Sequence, residues 1–164
     1  MEAAWTDLAA WAAALEASAL GRWMRGSDWA YPVVNLLHLL GLVLLVGAMM
    51  LLDLRLLGAR RLFPLAEVSA TLTPFAVAGL LVLLPTGVLL FSADAAPLLG
   101  NRLMQLKLLL IVLGIANALL FRRLWRRRLA DWDWRPPAAG RLQAVGSLVC
   151  WVAAASLGRL IAYG

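Results

Sequence analysis

The sequence predicts an all-α membrane protein with four transmembrane helices in an up-and-down antiparallel bundle, preceded by an N-terminal amphipathic interfacial helix. First, 63% of the 164 residues are hydrophobic, above the roughly 45–50% apolar content of soluble domains. Second, the apolar residues form four runs, each long enough to cross a bilayer as a helix. Third, most connections between the runs are short, which favours antiparallel neighbours in one domain over 1–164.

The interfacial helix is predicted over residues 3–20, where an alanine-rich segment is too weakly hydrophobic for a span. Tryptophans at Trp5, Trp11 and Trp23 fit a helix that lies at the membrane–water boundary. The segment begins with acidic residues and lacks the positive start of a signal peptide. We therefore expect it to remain on the chain.

Turn chemistry and charge mark the edges of the four spans. The first span begins near Pro32, a residue suited to the first turn of a helix. A polar, basic loop separates the last two spans. The predicted spans cover about 32–52, 73–91, 103–124 and 142–163, and the basic loop covers 125–141.

Arginine placement predicts the orientation of the bundle. The two loops at one end carry ten arginines, whereas five Lys or Arg residues lie toward the other end. The positive-inside rule therefore predicts a multi-pass protein of the bacterial inner membrane with both termini outside. The Arg122–Arg128 cluster is expected to contact anionic lipid head groups rather than nucleic acid.

Polar residues at membrane depth are costly, and they are therefore hypotheses for a functional site. Asn35 and His38 lie three residues apart on one face of the first span, in its outer third. Lys107 lies about one turn into the third span, and Arg159 lies about one turn from the end of the fourth. These four residues are expected to reach one depth and are the candidate ligand-binding residues.

Each of these residues also has a purely structural explanation. Lys107 and Arg159 lie near enough to a boundary to extend their charged heads into water. Asn35 and His38 are equally able to form hydrogen bonds that only hold helices together. Two further polar residues in the spans are expected to serve helix packing alone: Thr86 and Asn117.

Several function classes find no support in the sequence. It holds no catalytic Ser/His/Asp order, no HExxH motif and no phosphate-binding glycine loop, so we expect no enzyme. Asp53 and Arg55 are expected at the boundary after the first span, as a topological anchor or a local ion pair. A proton pathway is not expected, because no acid is predicted well inside a span. No metal site is predicted, and the single cysteine, Cys150, is expected to be a buried structural thiol.

Four segments together resemble a bacterial family of small four-span membrane proteins of unknown function. The segments are "GSDWAYPVVNLLHLLGLVLLVGAMMLLDLRLLG", "PTGVLLF", "NRLMQLKLLLIVLGIANALLF" and "SLGRLIAYG". The "HLLG…DLRLLG" and "GRLIAY" elements are specific in combination, and the likeness covers about Trp11 to Tyr163. The resemblance implies a fold and a location, but no activity.

The resemblance also implies two departures in this chain. A Glu is usual where this chain has Asn35, and a His is usual where it has Arg122. If the family pairs that Glu with the arginine of "GRLIAY", Arg159 has lost its acid here. If the family uses two histidines to hold a metal or haem, this chain keeps only His38.

The sequence favours a non-enzymatic membrane component or subunit whose polar cluster stabilises the bundle or holds a small ligand, with no cofactor predicted. The alternative is a redox subunit that binds haem b or a quinone through His38. In that case Lys107 and Arg159 would receive haem propionates, and a second axial ligand would have to be Met104 or another sulfur. Metal or small-solute transport is less favoured, because four short spans would need an oligomer to build a pathway. A homo-oligomer or a membrane complex remains open.

Overall fold

The computed structural model describes residues 2–59 and 62–161, with side chains from residue 5 onward, and the regular structure of this part is helical. Four of the helices are long and apolar enough to cross a membrane, and they pack together. The predicted all-α, four-span fold is therefore confirmed. The helices are α1 Glu2–Glu16, α2 Ala19–Gly26, α3 Ala30–Leu56, α4 Leu65–Ala93, α5 Ala95–Gly100, α6 Arg102–Trp125 and α7 Ala138–Leu160, with a 3-10 turn at Arg126–Arg128.

The four long helices pack as two antiparallel pairs, α3 with α4 and α6 with α7, and the contact of α3 with α7 joins the pairs. Helices α4 and α6 share no packed interface. The region between α4 and α6 is called the α4/α6 groove below. The end that carries α1, α2 and α5 is called the terminal end, and the end that carries residues 57–59, 62–64 and 126–137 is called the basic end.

Two glycines set the close approach of α3 to α4. A Cβ added at Gly79 would lie 2.5 Å from the backbone nitrogen of Leu45 and 2.7 Å from the carbonyl oxygen of Gly41. A Cβ added at Gly41 would lie 3.0 Å from the carbonyl oxygen of Gly79. Small residues let membrane helices approach closely, and a larger side chain here would force these two apart.

Three clusters of buried apolar residues follow one another along the bundle, and outward-facing residues such as Val43 and Leu81 are left 68% and 65% exposed. Lipid tails cover such residues in a membrane protein. The cluster at the basic end contains Leu52, Leu56, Leu65, Trp132 and Ala144. The middle cluster contains Leu45, Ala48, Ala76 and Trp151. The cluster at the terminal end contains Met24, Ala30, Val34 and Ala93.

The helices extend beyond the predicted spans. The first span was expected over 32–52, but α3 runs on to Leu56, and α4 begins at Leu65 rather than at about residue 73. Both residues are buried, 3% and 1% exposed, against the buried Trp132. Tertiary packing thus extends the helices past the apolar runs. At the other end of the chain, the predicted end of the fourth span at 163 lies outside the described residues.

The helix predicted over 3–20 is two helices, and this corrects its boundaries. The Ser18 hydroxyl accepts the N–H of Gly21 at 3.2 Å and caps α2. A Cβ added at Gly21 would collide with backbone oxygens of its surroundings, so the bend needs a glycine. Arg25 donates to the carbonyl of Ala93 at 2.6 Å, which holds α2 against the end of α4.

The basic loop predicted over 125–141 is shorter, and it folds onto the bundle. Trp132 is 2% exposed, and its Nε1 donates to the carbonyl of Leu56 at 3.0 Å. The buried Arg55 forms two hydrogen bonds to the Asp133 carboxylate, at 2.8 and 2.6 Å. A two-bond Arg–carboxylate pair is among the stronger polar contacts in proteins. Arg55 thus forms a long-range ion pair that docks the loop, and not a local one.

Candidate functional site

The single histidine lies between α3 and α4. His38 Nδ1 is 2.9 Å from Thr86 Oγ1, and the Thr86 hydroxyl donates its own hydrogen to the carbonyl of Val82 at 2.6 Å. Because that hydrogen is already used, Thr86 accepts the hydrogen of Nδ1. In the neutral imidazole Nε2 is then the nitrogen without a hydrogen, and its lone pair is available to a ligand.

Thr86 suits this role because a threonine in a helix commonly returns its hydroxyl hydrogen to the carbonyl one turn back. Its side chain is buried, 6% exposed, so its bonds are shielded from water. The next residue, Gly87, lies against the imidazole, with His38 Cε1 3.4 Å from where a Cβ would be. Thr86, which was expected to serve only helix packing, thus also sets the hydrogen position of His38.

Lys107 approaches His38 from α6. Its side chain crosses Gly158 of α7, and Nζ lies 3.2 Å from the position of a Cβ added there. The ammonium is close enough to act electrostatically on the imidazole. Within the part of the chain that the structure describes, no hydrogen bond or ion pair engages this ammonium. A cation from α6 therefore lies near the imidazole on α3.

The structure brings together two of the four predicted ligand-binding residues. His38 and Lys107 interact, and both are partly buried. Asn35 lies on the exposed surface one turn nearer the terminal end of α3, and it forms no hydrogen bond with another described residue. Arg159 follows Gly158 on α7, and its side chain is exposed.

Asn117 belongs to a separate contact between α6 and α7. Its side-chain nitrogen donates to the carbonyl of Gln143 at 3.0 Å. The side-chain oxygen of Gln143 in turn accepts from the indole nitrogen of Trp125. These bonds join α6 to α7 toward the basic end and take no part in the site around His38.

Arg122 lies far from His38, which bears on the idea of a site with two histidines. It follows Lys107 by fifteen residues on α6, a rise of about 22 Å. Since Lys107 lies beside His38, a histidine in place of Arg122 would not reach the same metal or haem within one chain. The structure thus contradicts that hypothesis for a single subunit.

Four arginines lie side by side at the basic end of α6, and they line a shallow surface concavity with two leucines. All four are exposed. Arg128, the next arginine of the cluster, lies over the ring of Trp125, with 5.8 Å between the guanidinium carbon and the ring centroid. The concavity is lined by Leu119, Arg122, Arg123, Leu124, Arg126 and Arg127.

Asp53 was missed as a site residue by sequence reasoning. It was expected at the boundary after the first span, but it lies within α3 and is only 2% exposed. The reason is that α3 continues to Leu56 and that Trp132 closes this end of the bundle. Asp53 and Arg55 are two residues apart and point to different sides of the helix. No signal in the sequence tells which of these sides the loop covers.

The chain was compared with protein families, curated proteins and solved structures. Residues 10–164 match the family described as "Family of unknown function (DUF6644)". No curated protein and no solved structure matches the chain. The family match extends over nearly the whole chain and agrees with the resemblance to an uncharacterised family. The chain therefore belongs to this family of unknown function, DUF6644.

Proposed function

We propose that the protein is a non-enzymatic membrane subunit that binds a small ligand beside the α4/α6 groove through His38 and Lys107. The observation that carries this proposal is the bond from His38 Nδ1 to Thr86, which leaves Nε2 free. An imidazole lone pair and an unpaired ammonium together offer one acceptor and one cationic donor. Such a pair suits a ligand head group with a polar or acidic oxygen.

The alternative function is a redox subunit that holds haem b or a quinone. One specific observation favours it, because metal-ligating histidines characteristically donate their other ring N–H to a fixed partner, as His38 does to Thr86. Lys107 would bind a haem propionate or a quinone carbonyl. Met104 lies three residues before Lys107 on α6 and is the candidate for a second axial ligand. A quinol would donate its hydroxyl to Nε2.

The surroundings of this subunit are also part of the proposal. We infer that it resides in the bacterial inner membrane with both termini outside, because the basic end carries most of the arginines. The exposed arginines of the Arg122–Arg128 cluster would bind anionic lipid head groups. A second copy or another membrane subunit would cover the α4/α6 groove.

The test is to purify the full chain in mild detergent, record its visible spectrum and identify extracted small molecules by mass spectrometry. We expect a bound ligand in the wild type, lost in His38→Ala and reduced in Lys107→Met. The matched control is Asn117→Ala, which removes a polar contact between α6 and α7 away from the groove. A Soret band identifies haem, and an extracted quinone identifies the second ligand class.

The same experiment can overturn the proposal. If His38→Ala retains as much ligand as the wild type, His38 does not bind it. If neither wild type nor Asn117→Ala yields any ligand, and reconstitution with haem or a quinone gives no binding, the cluster serves packing alone. Melting curves recorded for every variant separate loss of ligand from loss of fold.

A further inference from the structure

Four buried side-chain atoms have no hydrogen-bond partner: Arg55 Nε at the basic end, and Asp53 Oδ2, Ser147 Oγ and Trp151 Nε1 between the helices. Asp53, Ser147 and Trp151 are 2%, 2% and 4% exposed. An unsatisfied buried polar group is destabilising. Folded proteins commonly meet this cost with internal water, which typically forms about three hydrogen bonds.

These atoms belong to two facing helices. Ser147 and Trp151 are four residues apart on α7 and so share one face of the helix. Asp53 faces Ser147 from α3 and is close enough to interact with it. Neither Asp53 Oδ2 nor Ser147 Oγ forms a hydrogen bond of normal length and angle, however. Asp53 Oδ2 and Ser147 Oγ therefore both keep hydrogen-bonding capacity that a small molecule beside them would use.

No cation compensates the Asp53 carboxyl within the described residues. Arg55, two residues further on, directs its terminal nitrogens to Asp133 and to the carbonyl of Phe63. On α7, the charged Arg141 donates to the carbonyl of Leu57 at 3.1 Å rather than to Asp53, and Glu67 at the start of α4 is exposed. An isolated carboxylate in an apolar interior is strongly destabilising, and a bound proton removes that charge.

The docked loop closes this region off from the water at the basic end. Trp132 is buried there and bonds to the carbonyl of Leu56, and the apolar cluster of the basic end surrounds it. Asp53 lies about one turn from the end of α3 and yet is almost wholly covered. Asp53 is therefore buried inside the bundle.

We propose that Asp53 and Ser147 form an internal site for a water molecule and an exchangeable proton. The chemistry is complementary, because a hydroxyl and a protonated carboxyl each donate and accept a hydrogen bond. Asp53 follows His38 by fifteen residues, about 22 Å along α3. The site is thus separate from the ligand site proposed above.

Infrared spectroscopy of the purified full chain tests this proposal, because a protonated carboxyl has its own carbonyl stretching band. We expect this band at neutral pH in the wild type, with a shift in heavy water. Asp53→Asn should abolish the band and keep the side-chain volume. The matched control Asp28→Asn makes the same chemical change at an exposed position and should keep the band. Ser147→Ala should move the band, since it removes a partner of the shared water.

Three outcomes overturn the proposal. Absence of the band in the folded wild type, or its persistence in Asp53→Asn, would show that Asp53 holds no proton. A band left in place by Ser147→Ala would show that no water is shared with that hydroxyl. If Asp53→Asn does not fold, Ser147→Ala still decides, because it removes one small hydroxyl, and circular dichroism verifies its fold.

Discussion

At the scale of single residues, the hydrogen position on His38 is decided by a neighbouring helix. The Thr86 hydroxyl donates its hydrogen to the carbonyl of Val82 and therefore accepts the hydrogen of His38 Nδ1. Nε2 is then the ring nitrogen that keeps its lone pair. His38 and Lys107 were candidates for the site because they are polar residues inside apolar runs. Such residues are costly in a membrane and therefore rare. Asn35 satisfied the same criterion but lies on the exposed face of α3, and only the packing of that helix shows this.

Replacing Thr86 tests this arrangement. Thr86→Val keeps the shape but removes the hydroxyl, so it should lower the free energy of unfolding by about 0.6–2 kcal/mol. It should also weaken ligand retention, because the hydrogen of Nδ1 loses its acceptor. Unfolding in mixed micelles of increasing denaturing detergent measures the first effect, and ligand content after purification measures the second.

A threonine on the same helix gives the control. Thr73 Oγ1 donates to the carbonyl of Ser69 at 2.6 Å within α4 itself. Thr73→Val should therefore leave ligand retention unchanged, and Thr86→Ser should restore the wild-type value. Equal loss of ligand in Thr73→Val and Thr86→Val would contradict the role given to Thr86.

At the scale of helices, the contact of α3 with α4 depends on two glycines that face each other. Gly41 and Gly79 are small residues in apolar runs, but the sequence does not show that they face each other. Gly47 and Gly146 lie in the same kind of apolar run, with open space beside them. Spacing within one helix cannot tell these cases apart, because the partner belongs to another helix.

Two glycine variants distinguish a glycine in a close helix contact, Gly79, from one beside open space, Gly47. Gly79→Ala should destabilise the folded protein by about 1–3 kcal/mol, as overpacking typically does, because its Cβ would lie 2.5 Å from the nitrogen of Leu45. Gly47→Ala meets nothing within 4 Å and should be neutral or slightly stabilising, since alanine favours a helix over glycine. Thermal unfolding in detergent measures both, and equal midpoints would contradict the packing described for Gly79.

At the scale of the whole molecule, arginine placement and loop docking act at the same end. The segment predicted over 125–141 was expected to be a basic loop, and Trp132 and the pair of Arg55 with Asp133 attach it to α3. Residues 78 positions apart in the chain form that ion pair. Such a contact leaves no periodic signal in the sequence, and it covers the end of α3 at which Asp53 is buried.

Orientation in the membrane is a prediction for the whole molecule, and cysteine labelling tests it. In a chain with Cys150→Ala, single cysteines are introduced as Asp28→Cys near the terminal end and Trp134→Cys in the basic loop. Trp134 is 88% exposed, so a cysteine there is accessible to a reagent on its side of the membrane. An impermeant maleimide should label the first variant in intact spheroplasts and the second only after permeabilisation. The reverse pattern would contradict the orientation.

The sequence by itself determined the membrane class, the four spans and two members of the candidate site. These properties follow from local quantities, namely the length of an apolar run and the cost of a polar group inside it. Family membership likewise follows from the order of residues along the chain.

The tertiary structure alone decided which polar groups meet and which acid is buried. His38 forms a hydrogen bond with Thr86 and lies near Lys107. Asp53 is buried because a loop distant in the sequence covers the end of its helix. Helical periodicity assigns a residue to a face, but the rotation of each helix about its axis is set by packing against its neighbours. That rotation, and not the pattern within one span, determines what each polar side chain can bind.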